Sequence, residues 1–431
     1  MGGMSVREAT GAASDEPVRT PVADDVLLAR AYLSRVAEPS CIPLWGLVHK
    51  HGPVVAVEKI RAGDLPDGLA SFVAARRASA DPHADLAAAE RGGIRLVVPE
   101  SPDWPHFAMA ALEYTGLARL AEYEAGNRVH DRQGELMPPL ALWVRGPGDL
   151  TTLAVRSVGL VGARTCTPYG AQVAGELAYG LASRSFPVVS GGAYGIDAAA
   201  HRGALAAGGE TILVSAGGLD RAYPAAHQAL FRSAAESGLL VSESPPGCAP
   251  HRARFLTRNR LISAFGTGTV IVESARRSGA RNTAGHCVGL GRPLMVVPGP
   301  VTSAMSVGNH DLLKSGPAVL VTSVADIVDV IGSIGEQGPD DARDEPSPQT
   351  PVDERAERAA ALRDLLDSLD DGSRQVYDGL PSRRPITVSD LVQTSGLPAT
   401  EVLAALPLLM LHGLAEHTEE GVRRRRPGAR R

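Results

Sequence analysis

The sequence predicts an α/β fold in which a doubly wound, mostly parallel sheet carries helices on both faces. Three observations lead there. Six short apolar runs follow Ser157: SVGLVGA (157–163), PVVSG (187–191), TILVSA (211–216), GLLVSE (238–243), TVIVES (269–274) and PLMVVPG (293–299). The runs are continuously apolar rather than alternating, which marks strands buried on both faces. The stretches between them, 168–185, 195–207, 224–237, 254–265 and 278–290, each suit one helix. Repeated strand–helix units of this size build a parallel sheet.

The rest of the chain is read in order around that centre. Residues 1–22 are polar and are expected to be disordered. From Ala23 to about residue 90, apolar residues recur at helical spacing and predict a helical domain. GIRLVVPES (92–101) reads as a strand entering the loop SPDWP, which Pro102 and Pro105 keep out of helix. A second strand, PLALWVR (139–145), stops at Gly146-Pro147-Gly148, and the α/β domain is expected to span 91–332. Residues 333–358 combine prolines with eight acidic residues and three arginines, the composition of a flexible linker. Residues 359–420 read as three helices and a strand pair, the spacing of a helix-turn-helix with a small wing, before a basic tail at 421–431.

Composition narrows the function classes. The 431 residues are 44% hydrophobic and 21% charged, ordinary globular usage, with only 4% aromatics. Four cysteines, Cys41, Cys166, Cys248 and Cys287, form no CxxC pair, which speaks against a disulfide scaffold or a zinc site. No apolar leader opens the chain and no run of eighteen apolar residues occurs, so a cytoplasmic protein without membrane contact is expected. The net charge of −5 excludes a globally basic coat but conceals an uneven distribution. Residues 151–332 hold 15 Lys and Arg against 10 Asp and Glu, a surplus of +5. The linker carries −5 and the last nine residues +6.

In an open parallel sheet, ligands bind beyond the carboxyl ends of the strands. The polar loops gather there. After the first strand of the run come Gly162-Ala163-Arg164-Thr165 and then Pro168-Tyr169-Gly170, opening a helix. After the second come Ser190-Gly191-Gly192-Ala193-Tyr194-Gly195. Converging backbone N–H groups and the following helix N-terminus suit each loop to a phosphate, and Arg164 adds a full charge. The alternative is two tight turns with structural glycines. A dinucleotide fingerprint is not supported, because the first loop lacks GxGxxG. Asp197, with His201 one turn later on the same helix face, reads as a capping aid, a loop organiser or a general base; a Ser190-based triad has no nucleophile elbow behind it.

HRARFLTRNR (251–260) places Arg252, Arg254, Arg258 and Arg260 within nine residues, with no acidic residue between them. Phe255 and Leu261 are available to anchor that helix. The run reads either as a phosphate-backbone track or as a solvated face.

Together these segments resemble the DNA-processing protein A family, also called Smf. The resemblance rests on VGAR (161–164) with PYG (168–170), SGGAYGIDAAAHRGAL (190–205), SAGGLDRAYPAAH (215–227) and LLVSESPPG (239–247). It continues through FLTRNRLISAF (255–265), VIVESARRSGARNTA (270–284), VVPGP (296–300) and GNHDLLKSGPAVLVTSVADI (308–327). It implies a Rossmann-like fold with an N-terminal SAM-like helical domain and a C-terminal winged-helix-like domain. It also implies a non-enzymatic recombination mediator without a cofactor, working as a dimer in natural transformation. Such a protein protects incoming single-stranded DNA and loads RecA recombinase on it, with single-strand-binding protein as a further partner. The DNA-binding residues it implies here are Arg164, Ser190, Gly191, Gly192, Tyr194, Gly195, Phe255, Arg258, Asn259, Arg260, Ser278 and Gly279; Gly162, Asp197, His201 and Glu273 would organise the loops.

The chain departs from that pattern where Tyr194 and Ala225 replace residues that the family often has basic, and where Leu256 and Thr257 stand in the FPxRNR segment. Tyr194 offers a stacking surface in exchange, worth about 1–3 kcal/mol per base. A rival enzyme reading is a nucleotide-processing hydrolase similar to the lysine-decarboxylase-like phosphoribohydrolases, with Glu273 as its reacting carboxylate. The chain has only GTGTVIVE (266–273) and PPGCAP (245–250) toward their PGGxGTxxE loop. A third reading is a transcription factor that uses residues 359–431 on a duplex.

Overall fold

A computed structural model describes residues 22–126, 136–276, 278–316, 318–332, 369–381, 384–418 and 421–425. The expected disorder at 1–21 and the linker at 333–358 lie outside the described residues. The chain divides into two compact units, the first ending at Gln337.

Unit 1 opens with five helices: α1 (Asp24–Val36), α2 (Ile42–His51), α3 (Pro53–Ala62), α4 (Leu69–Val73) and α5 (Pro82–Arg91). Tyr32, Leu33, Leu44, Ile60, Leu69 and Val73 close a common core of the first four, while Ala89 of α5 packs with Ala31 in a separate cluster. Asp81 caps α5 by accepting from the Ala84 N–H, with Pro82 preset for the first turn. The elements of the sheet region follow: β1 (Ile94–Val97), α6 (His106–Glu124), β2 (Leu142–Arg145), α7 (Leu150–Arg156), β3 (Val158–Val161), α8 (Pro168–Ala182), β4 (Val188–Ser190), α9 (Ile196–Ala206) and β5 (Thr211–Val214). Then come α10 (Gln228–Ser237), β6 (Leu239–Ser242), α11 (Arg252–Phe265), β7 (Gly268–Ile271), α12 (Gly279–Gly289), β8 (Leu294–Val296), α13 (Val307–Ser315), β9 (Val319–Leu320) and α14 (Val324–Gly332).

Among the described residues the strands form one sheet in the order β1-β2-β6-β5-β4-β3-β7-β8-β9. From β6 through β9 all pairs are parallel, and every residue of β3 to β8 is buried, as the continuous apolar runs require. β2 joins β6 antiparallel and β1 joins β2 antiparallel, so the two early strands extend this sheet. One apolar layer packs α8, α9 and α14 on the sheet, and the opposite one packs α6, α11 and α12. β3 and β7 are neighbours although three strands separate them in sequence. Their exit loops therefore diverge, and the crevice between them is the topological switch point.

Unit 2 holds α15 (Asp371–Gly379), α16 (Val388–Ser395), α17 (Ala399–Leu411), β10 (Ala415–Thr418) and β11 (Gly421–Arg424). A reciprocal capping box, Thr387 with Asp390, starts α16, and Gly396 in the left-handed region ends it. Residues 421–424, expected in the basic tail, instead pair with β10 because Val422 is buried in the unit's core. This is the three-helix-plus-wing arrangement expected of the segment. Among the described residues no single helix is long and apolar enough to cross a membrane; α16 and α17 are bent 105° apart.

Candidate nucleic-acid interface

A cleft of about 970 Å³ opens at the switch point. The loop after β3 contributes Gly162 to Thr165, the loop after β7 and the start of α12 contribute Ala275, Ser278 and Gly279, and one face of α11 closes the side. Arg164 is exposed, and its guanidinium lies 4.9 Å from the centre of the Phe255 ring. Tyr223, from the loop after β5, tilts against the other side of this cluster, 5.4 Å from Phe255. Arg164, Phe255, Arg258, Asn259, Ser278, Gly279, Gly162 and Asp197 all line the cleft, so the structure brings together half of the sixteen positions singled out above.

The two glycine loops differ from the expectation that both stand open to phosphate. At the N-terminus of α8 a carboxylate is already seated: Glu273 accepts from the Thr167 N–H at 2.9 Å and from the Thr167 hydroxyl at 2.6 Å. An added Cβ on Gly170 would sit 2.2 Å from that carboxylate, so the helix start closes tightly over it. In the second loop, Ser190 is buried and its hydroxyl donates to the Leu160 carbonyl. Asp197 accepts from the Ala193 N–H, and the Gly191 N–H also holds it. Burial pushes the Asp197 carboxyl above its ordinary range, against the pull of Arg258 and of those N–H groups. The positive φ values of Gly192 and Gly195 serve this closed turn, and a Cβ on Gly195 would meet the Ala163 carbonyl at 2.2 Å. Tyr194 stays outside the cleft, packed edge-on against His227.

The arginines of α11 separate in the same way. Arg260 is fully buried, bonded bidentately to Glu243 at 2.5 and 2.6 Å and to the Met137 carbonyl; it does not reach the cleft, which corrects its expected place in the DNA pocket. Arg254 holds Glu38 of the segment after α1 at 2.7 and 2.9 Å. Burial favours the neutral acid there, but Arg254 and Arg76 bring the Glu38 carboxyl down to about 2. Arg258 lines the cleft yet donates to the carbonyls of Gly191 and Val214, and burial lowers it to about 10, still cationic at neutral pH. Arg252 is the exposed member and lines the cleft with Phe255 and Asn259. Those three sit at i, i+3 and i+7, a helical spacing that sets them on one face apart from Arg254 and Arg260. Arg252 belongs to the arginine run already noted in the sequence, whereas Tyr223 is a lining residue that sequence reading missed, because only the fold brings it to Phe255.

Opposite Arg164, α12 begins without a side-chain cap, and Ser278 Oγ has no hydrogen-bond partner. Here the Arg281 N–H turns back to the Ser278 carbonyl at 3.3 Å, and the N–H groups of Gly279 and Ala280, at the positive end of an eleven-residue helix, are left for an anion. Among the described residues no group of three His, Cys, Asp or Glu is placed to hold a metal ion.

His201 is buried away from the cleft. The Thr211 hydroxyl donates to the Val188 carbonyl, so the ring's Nδ1–H donates to that hydroxyl and the imidazole is neutral. Burial and the nearby Arg258 charge push it down to about 3, from an ordinary value of 6.5. The unfolded chain therefore takes up this proton first: the neutral ring's contribution is complete above pH 6.5 and is lost progressively as pH falls toward 3. Between pH 7 and pH 5 this amounts to about 2 kcal/mol. Urea unfolding at both pH values is expected to show that loss in the wild type and a flatter dependence in His201→Asn.

A family model described as DNA recombination-mediator protein A matches residues 131–332. A protein of Mycobacterium tuberculosis strain H37Rv, named as a DNA processing protein DprA, is 44% identical over 407 residues, which cover 94% of this chain and 96% of that one. The X-ray structure of DNA processing protein A from Streptococcus pneumoniae covers 71% of this chain and 97% of its own, with a TM-score of 0.55 and 26% identity. A solved Helicobacter pylori DNA processing protein A, described for its single-stranded DNA binding mode, covers 46% of this chain and 88% of its own, at 31% identity and a TM-score of 0.42. Identity of this level along nearly the whole length of a relative, on a sheet of matching fold, decides the matter: the chain belongs to the DNA recombination-mediator protein A family of DNA-processing proteins.

Proposed function

We propose that the cleft binds the backbone of single-stranded DNA, and that the chain protects an incoming strand and passes it to RecA recombinase during DNA uptake. In this reading it acts without catalysing a reaction, as a homodimer in the cytoplasm, alongside single-strand-binding protein. The observation that carries the reading is the pairing across one cleft of an uncapped helix start, at Ser278 and Gly279, with the Arg164–Phe255 stack. The first holds a phosphate through N–H groups; the second supplies a cation and a π face for an unstacked base. A duplex hides its base faces and does not fit a stacking platform of this kind. None of these side chains is arranged as a fork toward base edges, so sequence preference is expected to be low.

The hydrolase alternative loses its reacting group. Glu273 is buried, and both of its oxygens are engaged by Thr167 at the start of α8. The test is fluorescence anisotropy on labelled single- and double-stranded oligonucleotides across a salt series. Single-strand preference is expected, with Arg164→Ala reducing the slope of log affinity against log salt by about 0.7. Binding indifferent to Arg164, or turnover of nucleoside monophosphates that depends on Glu273, overturns the reading.

A further inference from the structure

The helix that walls the cleft is poorly equipped to begin where it does. Helix starts favour a side-chain cap and acidic residues in the first turn, because the first N–H groups are unpaired and that end of the dipole is positive. At α11 the cap position is His251, whose side chain makes no capping bond. The first turn holds Arg252 and Arg254 and no acidic residue, so two cations sit on the positive end. Phe255 follows directly: its N–H donates to the His251 carbonyl at 3.2 Å, and its ring carries the Arg164 stack. The missing negative charge comes from the N-terminal helical domain. Glu38, just past the end of α1, accepts from Arg254 at 2.7 and 2.9 Å and from Arg76, and lies 3.5 Å from His251 Nε2. Arg254 is 8% exposed, and it also donates to the Ala249 carbonyl at 3.0 Å. Three positions before Glu38, Arg35 grips Asp85 of α5 at 2.5 and 2.6 Å and donates to the Pro246 carbonyl at 2.7 Å. The approach to α11 is thus fastened to the helical domain, while Pro250, His251, Arg252 and Phe255 line the cleft.

We infer that Glu38 is a positioning residue for the cleft: by holding Arg254 and supplying the negative charge at the start of α11, it keeps the first turn wound and the Phe255 face beside Arg164. The inference rests on the single-stranded DNA reading of the cleft. It gives the helical domain a part in binding, although Glu38 is not among the residues that line the cleft. The direction of the effect separates this role from simple electrostatics. Glu38→Gln removes a negative charge near a surface that takes a polyanion, which by itself strengthens binding. Positioning predicts the reverse. With Glu38 neutral, Arg254 is left as a buried cation without a counter-charge, at a helix end that already repels it, so the first turn opens. What is lost is the π face for a base, not a phosphate contact.

The experiment is fluorescence anisotropy with the full chain on a labelled oligothymidylate and on an abasic strand of the same length and charge, for wild type, Glu38→Gln and Arg164→Ala. Glu38→Gln is expected to bind the thymidylate strand about 10-fold more weakly, the loss of one base–aromatic stack. Its slope of log affinity against log salt should equal that of the wild type, and it should bind the abasic strand no more weakly. Arg164→Ala is expected to weaken both strands and to lower the slope. Hydrogen exchange gives the second measurement: a peptide holding the Phe255 amide should exchange about 10-fold faster in Glu38→Gln, while β3 to β8 stay protected. Thymidylate binding by Glu38→Gln that equals or exceeds the wild type, while Arg164→Ala loses affinity, overturns the positioning role and leaves the cleft reading standing. Equal losses on the two strands, or unchanged exchange at the start of α11, also overturn it. Indifference of both variants removes the cleft reading, and this inference with it.

Discussion

Arg260→Ala is expected to destabilise unit 1 by about 3–5 kcal/mol while leaving the salt dependence of nucleic-acid binding unchanged, because breaking a buried ion pair leaves its partner charge uncompensated. Glu243, itself nearly buried, would lose both of its hydrogen bonds, and the Met137 carbonyl would lose its donor. Tryptophan fluorescence during urea unfolding reports this directly, since Trp45, Trp104 and Trp143 all lie in unit 1. The double variant Arg260→Met, Glu243→Leu should recover most of the loss, because apolar residues of similar volume replace a buried pair at little cost. A salt slope that falls in Arg260→Ala by as much as in Arg164→Ala would return Arg260 to the binding surface.

Arg258→Ala is expected to cost a similar 3–5 kcal/mol and, unlike Arg260→Ala, to reduce binding as well. Its guanidinium ties the ends of β4 and β5 to α11 through the carbonyls of Gly191 and Val214, and its charge favours the ionised form of the buried Asp197. Without it, the Asp197 carboxylate stays in the closed turn with only its N–H partners, and the wall of the cleft loosens. Asp197→Asn in the same chain removes that stranded charge. The coupling between the two changes in a double-mutant cycle is expected to be of order 1–3 kcal/mol, read from denaturation midpoints, with Arg258→Ala partly rescued by Asp197→Asn. Strict additivity would show that the two side chains do not act as a unit.

These contacts mark where sequence reading reaches its end. Arg252, Arg254, Arg258 and Arg260 look equivalent in the chain, since no acidic residue separates them. Their partners come from far away: Glu38 for Arg254, 216 positions earlier, and the carbonyl of Met137 for Arg260, 123 positions earlier. A local charge count cannot see such neutralisation. The same holds for the glycine loops, whose N–H groups look open until Glu273 and Asp197 are found seated on them. His201 and Tyr194 are a further pair: both fall in a matched segment, and one is buried against Thr211 while the other leans on His227 outside the cleft.

The sequence by itself determined the doubly wound sheet, the position of its switch-point loops, the helix-turn-helix spacing of the last unit and the family resemblance. Each of these follows from local periodicity, turn residues or motif order, which are properties of neighbours along the chain. Only the tertiary structure decided which cations and N–H groups remain available to a ligand. Burying a charge requires a compensating partner at hydrogen-bond distance, and that partner is chosen by how distant segments pack. That is why Arg164 and the start of α12 remain open to a ligand while Arg260 and Glu273 are tied into the fold.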